Sequence, residues 1–186
     1  MGNFRNDTCQ SPRRVHAGFT IIELMVVVAL VAILATLATP SWRALQVRNS
    51  IRALVNDYTL SLYFARTEAV RQNSPVTICP SSTGASCTNS ALEGGWIVIV
   101  GLADAANPVI LQDTLPRNLV RTAFSDNAQA NRAVTFLPNG QPAANFAGNT
   151  LRVCPASADF ASMSREVALN RTARINIVTP GTCNIP

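Results

Sequence analysis

The chain has 186 residues, a length that suits one domain with an appendage. All 15 basic residues are arginine, set against 10 acids for a net charge of +5, and only 13% of residues are charged while 48% are hydrophobic. This composition excludes a disordered tail protein and a strongly basic nucleic-acid module. In chain order, residues 1–18 are polar and carry Arg5, Arg13 and Arg14 against Asp7. From Phe19 to Thr39 the chain is apolar with a single charge, Glu23. As a helix rising ~1.5 Å per residue this run spans roughly 30 Å, the thickness of a bilayer core. A helix buried in a soluble domain is one alternative, but few small domains enclose so uniform an apolar cylinder. A secretory signal cut near Ala38 is another. The run is about twice the length of a usual signal core, and a carboxylate such as Glu23 costs on the order of a few kcal/mol in hydrocarbon unless it is paired. Basic residues beside a span stay cytoplasmic, so the spacing predicts a cytoplasmic 1–18, a transmembrane helix over 19–39, and the rest of the chain across the membrane.

Pro40 lacks an N–H donor and crowds the preceding turn, so an interruption of the helix is expected there. An amphipathic helix follows over 40–72, clearest from Ser41 to Arg71. Val47, Ile51, Leu54, Val55, Tyr58, Leu62 and Ala65 recur at steps of three and four, with Arg43, Arg48, Arg52 and Asp57 mostly off that stripe. The stripe reads as the face on which a globular domain, residues 73–186, packs. Asn73-Ser74-Pro75 ends the helix. Beyond it the hydrophobic period becomes two, with strands expected at Val76–Cys79, Trp96–Val100, Val109–Gln112, Asn118–Phe124, Ala133–Leu137, Thr150–Cys154, Arg165–Leu169 and Arg174–Val178. Turn residues such as Pro138-Asn139-Gly140 separate them. The uninterrupted apolar run of Trp96–Val100 predicts a central strand. The alternation at Arg174–Ile177 predicts Ile175 and Ile177 inward, Arg174 and Asn176 outward. The expected class is α+β: a long N-terminal helix, transmembrane then amphipathic, packed on antiparallel sheet.

Cys79, Cys87, Cys154 and Cys183 follow the span. Their spacing does not match a zinc ribbon, and a location outside the cytoplasm favours disulfides over free buried thiols. Four cysteines allow three pairings. The expected one is Cys79–Cys87, closing the loop between them, with Cys154–Cys183 tying the tail to an inner strand.

Gly18-Phe19-Thr20-Ile21-Ile22-Glu23-Leu24 resembles the class III signal of type IV pilins and pseudopilins. The resemblance implies that a prepilin peptidase cuts between Gly18 and Phe19 and methylates the new N-terminal Phe19. It also implies that Glu23, one helical turn from the new amine, pairs with the N-terminal ammonium of a neighbouring subunit during assembly. An amine and a carboxylate, each costly in lipid alone, become tolerable together. Processing would leave residues 19–186, with 12 arginines against nine acids and no histidine, since His16 departs with the leader along with Cys9. That removes Ser-His-Asp and Cys-His catalysis and every histidine-containing metal site. Neither an isolated carboxylate pair nor a Gly-rich phosphate loop stands out, so no enzyme, cofactor or metal is expected.

Phe64-Ala65-Arg66-Thr67-Glu68-Ala69-Val70-Arg71, followed by Pro75-Val76-Thr77-Ile78-Cys79, resembles a stretch of the GspH/FimT minor pilins, as do Trp96 and the Phe136-x-Pro138-x-Gly140 turn. Arg66 and Glu68 read as exposed helix residues without chemistry. The resemblance implies a pilin-like fold and a single-pass subunit of the bacterial inner membrane, with its C-terminal domain periplasmic. Its implied partners are the inner membrane, the major subunit and other minor pilins or pseudopilins, joined in the tip or priming complex of a type IV pilus or type II secretion pseudopilus. An alternative role is DNA uptake in natural transformation, for which some relatives use a Gly-Arg-x-Arg motif. Here the matching stretch is Ala173-Arg174-Ile175-Asn176, lacking both the glycine and the second arginine, with Arg171 nearby. Weak DNA contact through Arg171 and Arg174, joined by Arg152 or Arg165, is weighed against two solvated arginines flanking a strand.

Overall fold

A computed structural model describes residues 18–105, 109–125, 132–179 and Cys183, the side chains of 37–41 excepted. The expected leader therefore lies outside the described residues, apart from Gly18. One helix, α1, runs from Ile21 to Gln72, 52 residues. The expected interruption at Pro40 is corrected: the helical assignment continues through it. A proline removes one donor and the bond it would make, and a helix with long bonded flanks on both sides carries that loss. The helix stops where Asn73 takes a left-handed φ of 50°. Its N–H reaches Val70 O at 3.4 Å, and the N–H of Ser74 reaches Ala69 O at 3.3 Å, the paired bonds of a Schellman cap.

The chain divides into two units, Met1–Pro40 and Ser41–Pro186. In the first, the described side chains from Phe19 to Thr36 are all exposed. Among the described residues no helix is long and apolar enough to cross a membrane. Residues 21–36 rise only about 24 Å, short of the ~30 Å of a bilayer core, and the side chains that would complete the expected 19–39 span are among those not described.

The second unit holds two antiparallel four-stranded sheets. One comprises β1 (Val76–Pro80), β2 (Trp96–Val100), β3 (Val109–Thr114) and β5 (Val134–Phe136), in the order β3-β2-β1-β5. The other comprises β4 (Val120–Phe124), β6 (Asn149–Pro155), β7 (Arg165–Leu169) and β8 (Ile175–Val178), in the order β4-β6-β7-β8. Trp96–Val100 is an inner strand, which is why it has no polar position. Every residue of the expected helix stripe is buried, joined by Ala69, against Ile78, Trp96 and Val98 of one sheet and Leu151, Val153 and Val167 of the other. Trp96 fixes the register of this packing. Its indole N–H donates to Ser61 Oγ at 3.0 Å, and its ring meets Tyr58 edge-on at 5.9 Å. Burial pushes the Tyr58 hydroxyl pKa well up from its ordinary value.

The two sheets are linked through the connector between β1 and β2. Glu93, in a short 3-10 turn (Leu92–Gly94), accepts the N–H of Thr122 at 2.9 Å and its hydroxyl, while its own carbonyl accepts Arg117 N–H at 2.8 Å. Arg117 in turn pairs with Asp57 of α1. Ile177 corrects another expectation in part. It stands opposite buried Val167 on the inner face, as the alternation predicts, yet is 46% exposed, because β8 is the edge of its sheet.

Candidate assembly site and arginine-bearing sheet face

At the start of α1, the Thr20 hydroxyl accepts the Glu23 N–H at 3.3 Å and the Thr20 carbonyl accepts Leu24 N–H at 3.2 Å. Thr20 is therefore the N-cap, and Glu23 stands at the third helical position, where a carboxylate favours the positive end of the helix dipole. The Thr20-x-x-Glu23 spacing, that of a capping box, is the sequence signal for this N-cap. Glu23 is exposed on the same surface as the apolar side chains around it. Phe19 is 81% exposed. A Cβ added at Gly18 would meet open space, so packing of the described chain does not demand glycine there.

The cysteines pair as Cys79–Cys87 and Cys154–Cys183, with Cα separations of 5.5 and 5.9 Å. Cys79 is buried against Ile97 and Ile99 on the face of β1 and β2 that points away from α1, so that bridge closes a loop over a small second core. Cys154 shares the outer face of the second sheet with Thr150 and Arg152, yet is only 1% exposed.

The arginines weighed for DNA contact are spread out. Arg171 and Arg174 are exposed in the β7–β8 turn, whose shape comes from Asn170 Oδ1 accepting the N–H groups of Thr172 at 3.1 Å and Arg174 at 2.8 Å. Ala173, at φ 61°, is buried between them. Arg152 shares the outer face but pairs with Glu166 at 2.6 Å on the neighbouring strand. Arg152, Glu166 and Val178 stand in one cross-strand row. Arg174 lies four residues back along β8, which puts its Cα roughly 17 Å from that of Arg152 by strand rise and spacing. Arg165 shares a face with Val167 and Leu169, opposite the outer one, and donates to Ser164 O at 3.1 Å. Arg121, opposite Cys154 on β4, joins the outer face; only the sheet register reveals it.

Arg66 and Glu68 are both half-buried rather than exposed. A Cβ on Gly140, whose φ is +73°, would approach Arg66 Nε to 3.3 Å, so the Pro138–Gly140 turn lies directly on the arginine. Glu68 takes Arg71 Nη2 at 2.7 Å and Gln72 Nε2 at 2.8 Å, and these bonds, that of Arg71 first, hold its carboxyl below the usual range. The two short sequence matches thus meet in space as a helix-on-turn contact with no reactive group. Among the described residues no cluster of His, Cys, Asp and Glu is arranged to hold a metal.

The family model described as Type II transport protein GspH matches residues 54–173, from the buried helix stripe to the β7–β8 turn. The chain belongs to the GspH family. A second model, the prokaryotic N-terminal methylation motif, matches residues 13–39. The family is one of structural pilin and pseudopilin subunits anchored in the membrane and facing the periplasm, and the α+β pilin-like fold expected of it is the fold observed. The type IV minor pilin FimU of Pseudomonas aeruginosa is similar in structure, with a TM-score of 0.56 and 18% identity over 74% of this chain and 97% of that one. The minor pseudopilin EpsH from the type 2 secretion system of Vibrio cholerae has a TM-score of 0.51 and 12% identity, over 71% of this chain and 98% of that one. No curated protein matches the chain in sequence. Members of the GspH family assemble with other pilins or pseudopilins, so the surfaces that matter here are those that meet neighbours.

Proposed function

We propose that this GspH-family chain is an inner-membrane minor subunit that enters the priming or tip complex of a pilus or pseudopilus. Prepilin peptidase cuts after Gly18, Phe19 becomes the methylated first residue, and residues 19–39 cross the membrane. The observation that carries this reading is Glu23: one carboxylate exposed among side chains that are otherwise apolar and uncovered over residues 21–35. Its contact with the helix dipole accounts for part of its stability at that position, but a capped N-terminus in lipid still leaves the carboxylate costly. A partner cation removes the cost, and the amine created at Phe19 on a neighbouring subunit is the nearest in kind. Gly18 fits the same reading, because nothing in the described chain requires it while a peptidase needs an unobstructed backbone.

Two measurements test this. Intact-mass analysis of protein from its native host is expected to show loss of residues 1–18 and the gain of one methyl group; a terminus near Thr39 would overturn the filament role. Glu23→Ala is expected to give a folded, membrane-inserted protein, since it removes a charge from lipid, but one depleted from filament fractions. Wild-type levels there would refute the role assigned to Glu23.

A further inference from the structure

We infer that Trp42, Arg43 and Arg48 form an interfacial anchor that binds anionic phospholipid headgroups of the periplasmic leaflet. This rests on the membrane span proposed for residues 19–39. Trp42 is 63% exposed, with Leu45, one turn on, 49% exposed. Trp42 follows the last residue of the apolar run by three positions, so chain reach limits it to about 11 Å beyond the hydrocarbon edge. The headgroup zone is about 5–8 Å deep on each side, and tryptophan concentrates there because its ring is apolar and its N–H needs a polar partner.

Charge selects the lipid. Residues 24–56 contain no acid, and the arginines within them are Arg43, Arg48 and Arg52. Arg43 and Arg48 are exposed. Arg43 adjoins the tryptophan, and Arg48, six residues past Trp42 on the same helix, lies about 9 Å further along by helical rise, within a Debye length of it. Arg52 is a further turn away and is left out of the anchor. A neutral headgroup gains nothing from this field, whereas an anionic one is attracted by about fivefold per arginine near the surface.

The chain reports on itself, because it has two tryptophans and Trp96 is 1% exposed and bonded to Ser61. The full mature chain is reconstituted into phosphatidylcholine vesicles containing phosphatidylglycerol, and co-flotation is scored first. Tryptophan emission is then read with lipids brominated near the headgroup or near the chain ends, and with the bromine carried on phosphatidylglycerol or on phosphatidylcholine at equal mole fraction. Shallow bromines are expected to quench several-fold more than deep ones, and brominated phosphatidylglycerol more than brominated phosphatidylcholine. Trp42→Phe should abolish both signals, and Arg43→Gln/Arg48→Gln should equalise the two lipids while leaving the depth profile. A protein that co-floats but whose Trp42 stays open to iodide and blind to bromine overturns the anchor alone. Equal quenching by the two lipids in the unaltered chain overturns the anionic preference. A chain that does not co-float overturns the span, and the anchor with it.

Discussion

Ser61 is a small polar residue in the middle of the buried face of α1, 0% exposed, and its hydroxyl gives the Trp96 indole its hydrogen bond. The sequence pattern placed Ser61 between Tyr58 and Leu62 without assigning it a role, because hydrophobicity alone does not say which polar residue a buried tryptophan will need. Ser61→Ala leaves the shape almost unchanged but strands a buried donor, which costs about 1–3 kcal/mol. The expected result is a lowered denaturation midpoint followed by Trp96 emission, with processing after Gly18 unchanged. A midpoint equal to the parent would mean that the bond contributes nothing net. Thr20 acts on the same scale at the other end of the helix, where its hydroxyl satisfies a first-turn N–H beside Glu23. That bond holds the backbone of Glu23, not its carboxylate, whose partner, as proposed, is the amine of a neighbouring subunit.

At the scale of elements, the amphipathic half of α1 and most strands were legible because each keeps one hydrophobic period, and Trp96–Val100 because it is apolar without a break. The stripe from Val47 to Ala65 is at helical spacing and fully buried, and the strands sit within two residues of their expected ends. What escaped the sequence depends on neighbours. Ile177 alternates correctly but lies on an edge, so alternation does not bury it. Pro40 breaks a local rule that the helix flanking it overrides. Glu93 joins the sheets through Thr122, a contact of two residues far apart in sequence with no periodic trace. The candidate site was legible only in part. Glu23 and Gly18 stand out in an apolar or motif context, whereas the separation of Arg174 from Arg152 follows from sheet register. Gly140 lies between these cases: its turn was expected, its contact with Arg66 was not. Alanine there must take a left-handed φ, at about 1–2 kcal/mol, and must also push Arg66 aside. Gly140→Ala is therefore expected to lower stability by at least that amount, and Gly140→Ala combined with Arg66→Ala by less than the sum of the two changes, as a double-mutant cycle in denaturant would read. Strict additivity would remove the contact from the account.

For the whole molecule, the distribution of charge decides which partners the periplasmic unit attracts. With the leader removed as proposed, 12 arginines oppose nine acids, and several of those arginines are already engaged: Arg71 with Glu68, Arg117 with Asp57, Arg152 with Glu166. Field strength of the kind that draws duplex DNA at physiological salt needs many uncompensated cations on one face. The outer face of the second sheet offers Arg121 and Arg174 with an acid, Glu166, between their strands, and Arg171 on the adjoining turn. Two to four phosphate contacts on such a face correspond to a salt slope of about −2 to −4 and carry no sequence preference. The expected result is weak binding at low salt that fades by physiological ionic strength, and a subunit whose partners are chiefly other pilins. A duplex titration of the detergent-solubilised chain at several salt concentrations measures it, alongside Arg171→Gln/Arg174→Gln. In the double mutant the residual binding should drop and the slope should shrink by about two, one for each lost phosphate contact. Tight binding that persists at physiological salt in the parent and collapses in the mutant would make the β7–β8 turn a DNA receptor, and would replace the proposed role in filament priming with one in DNA uptake.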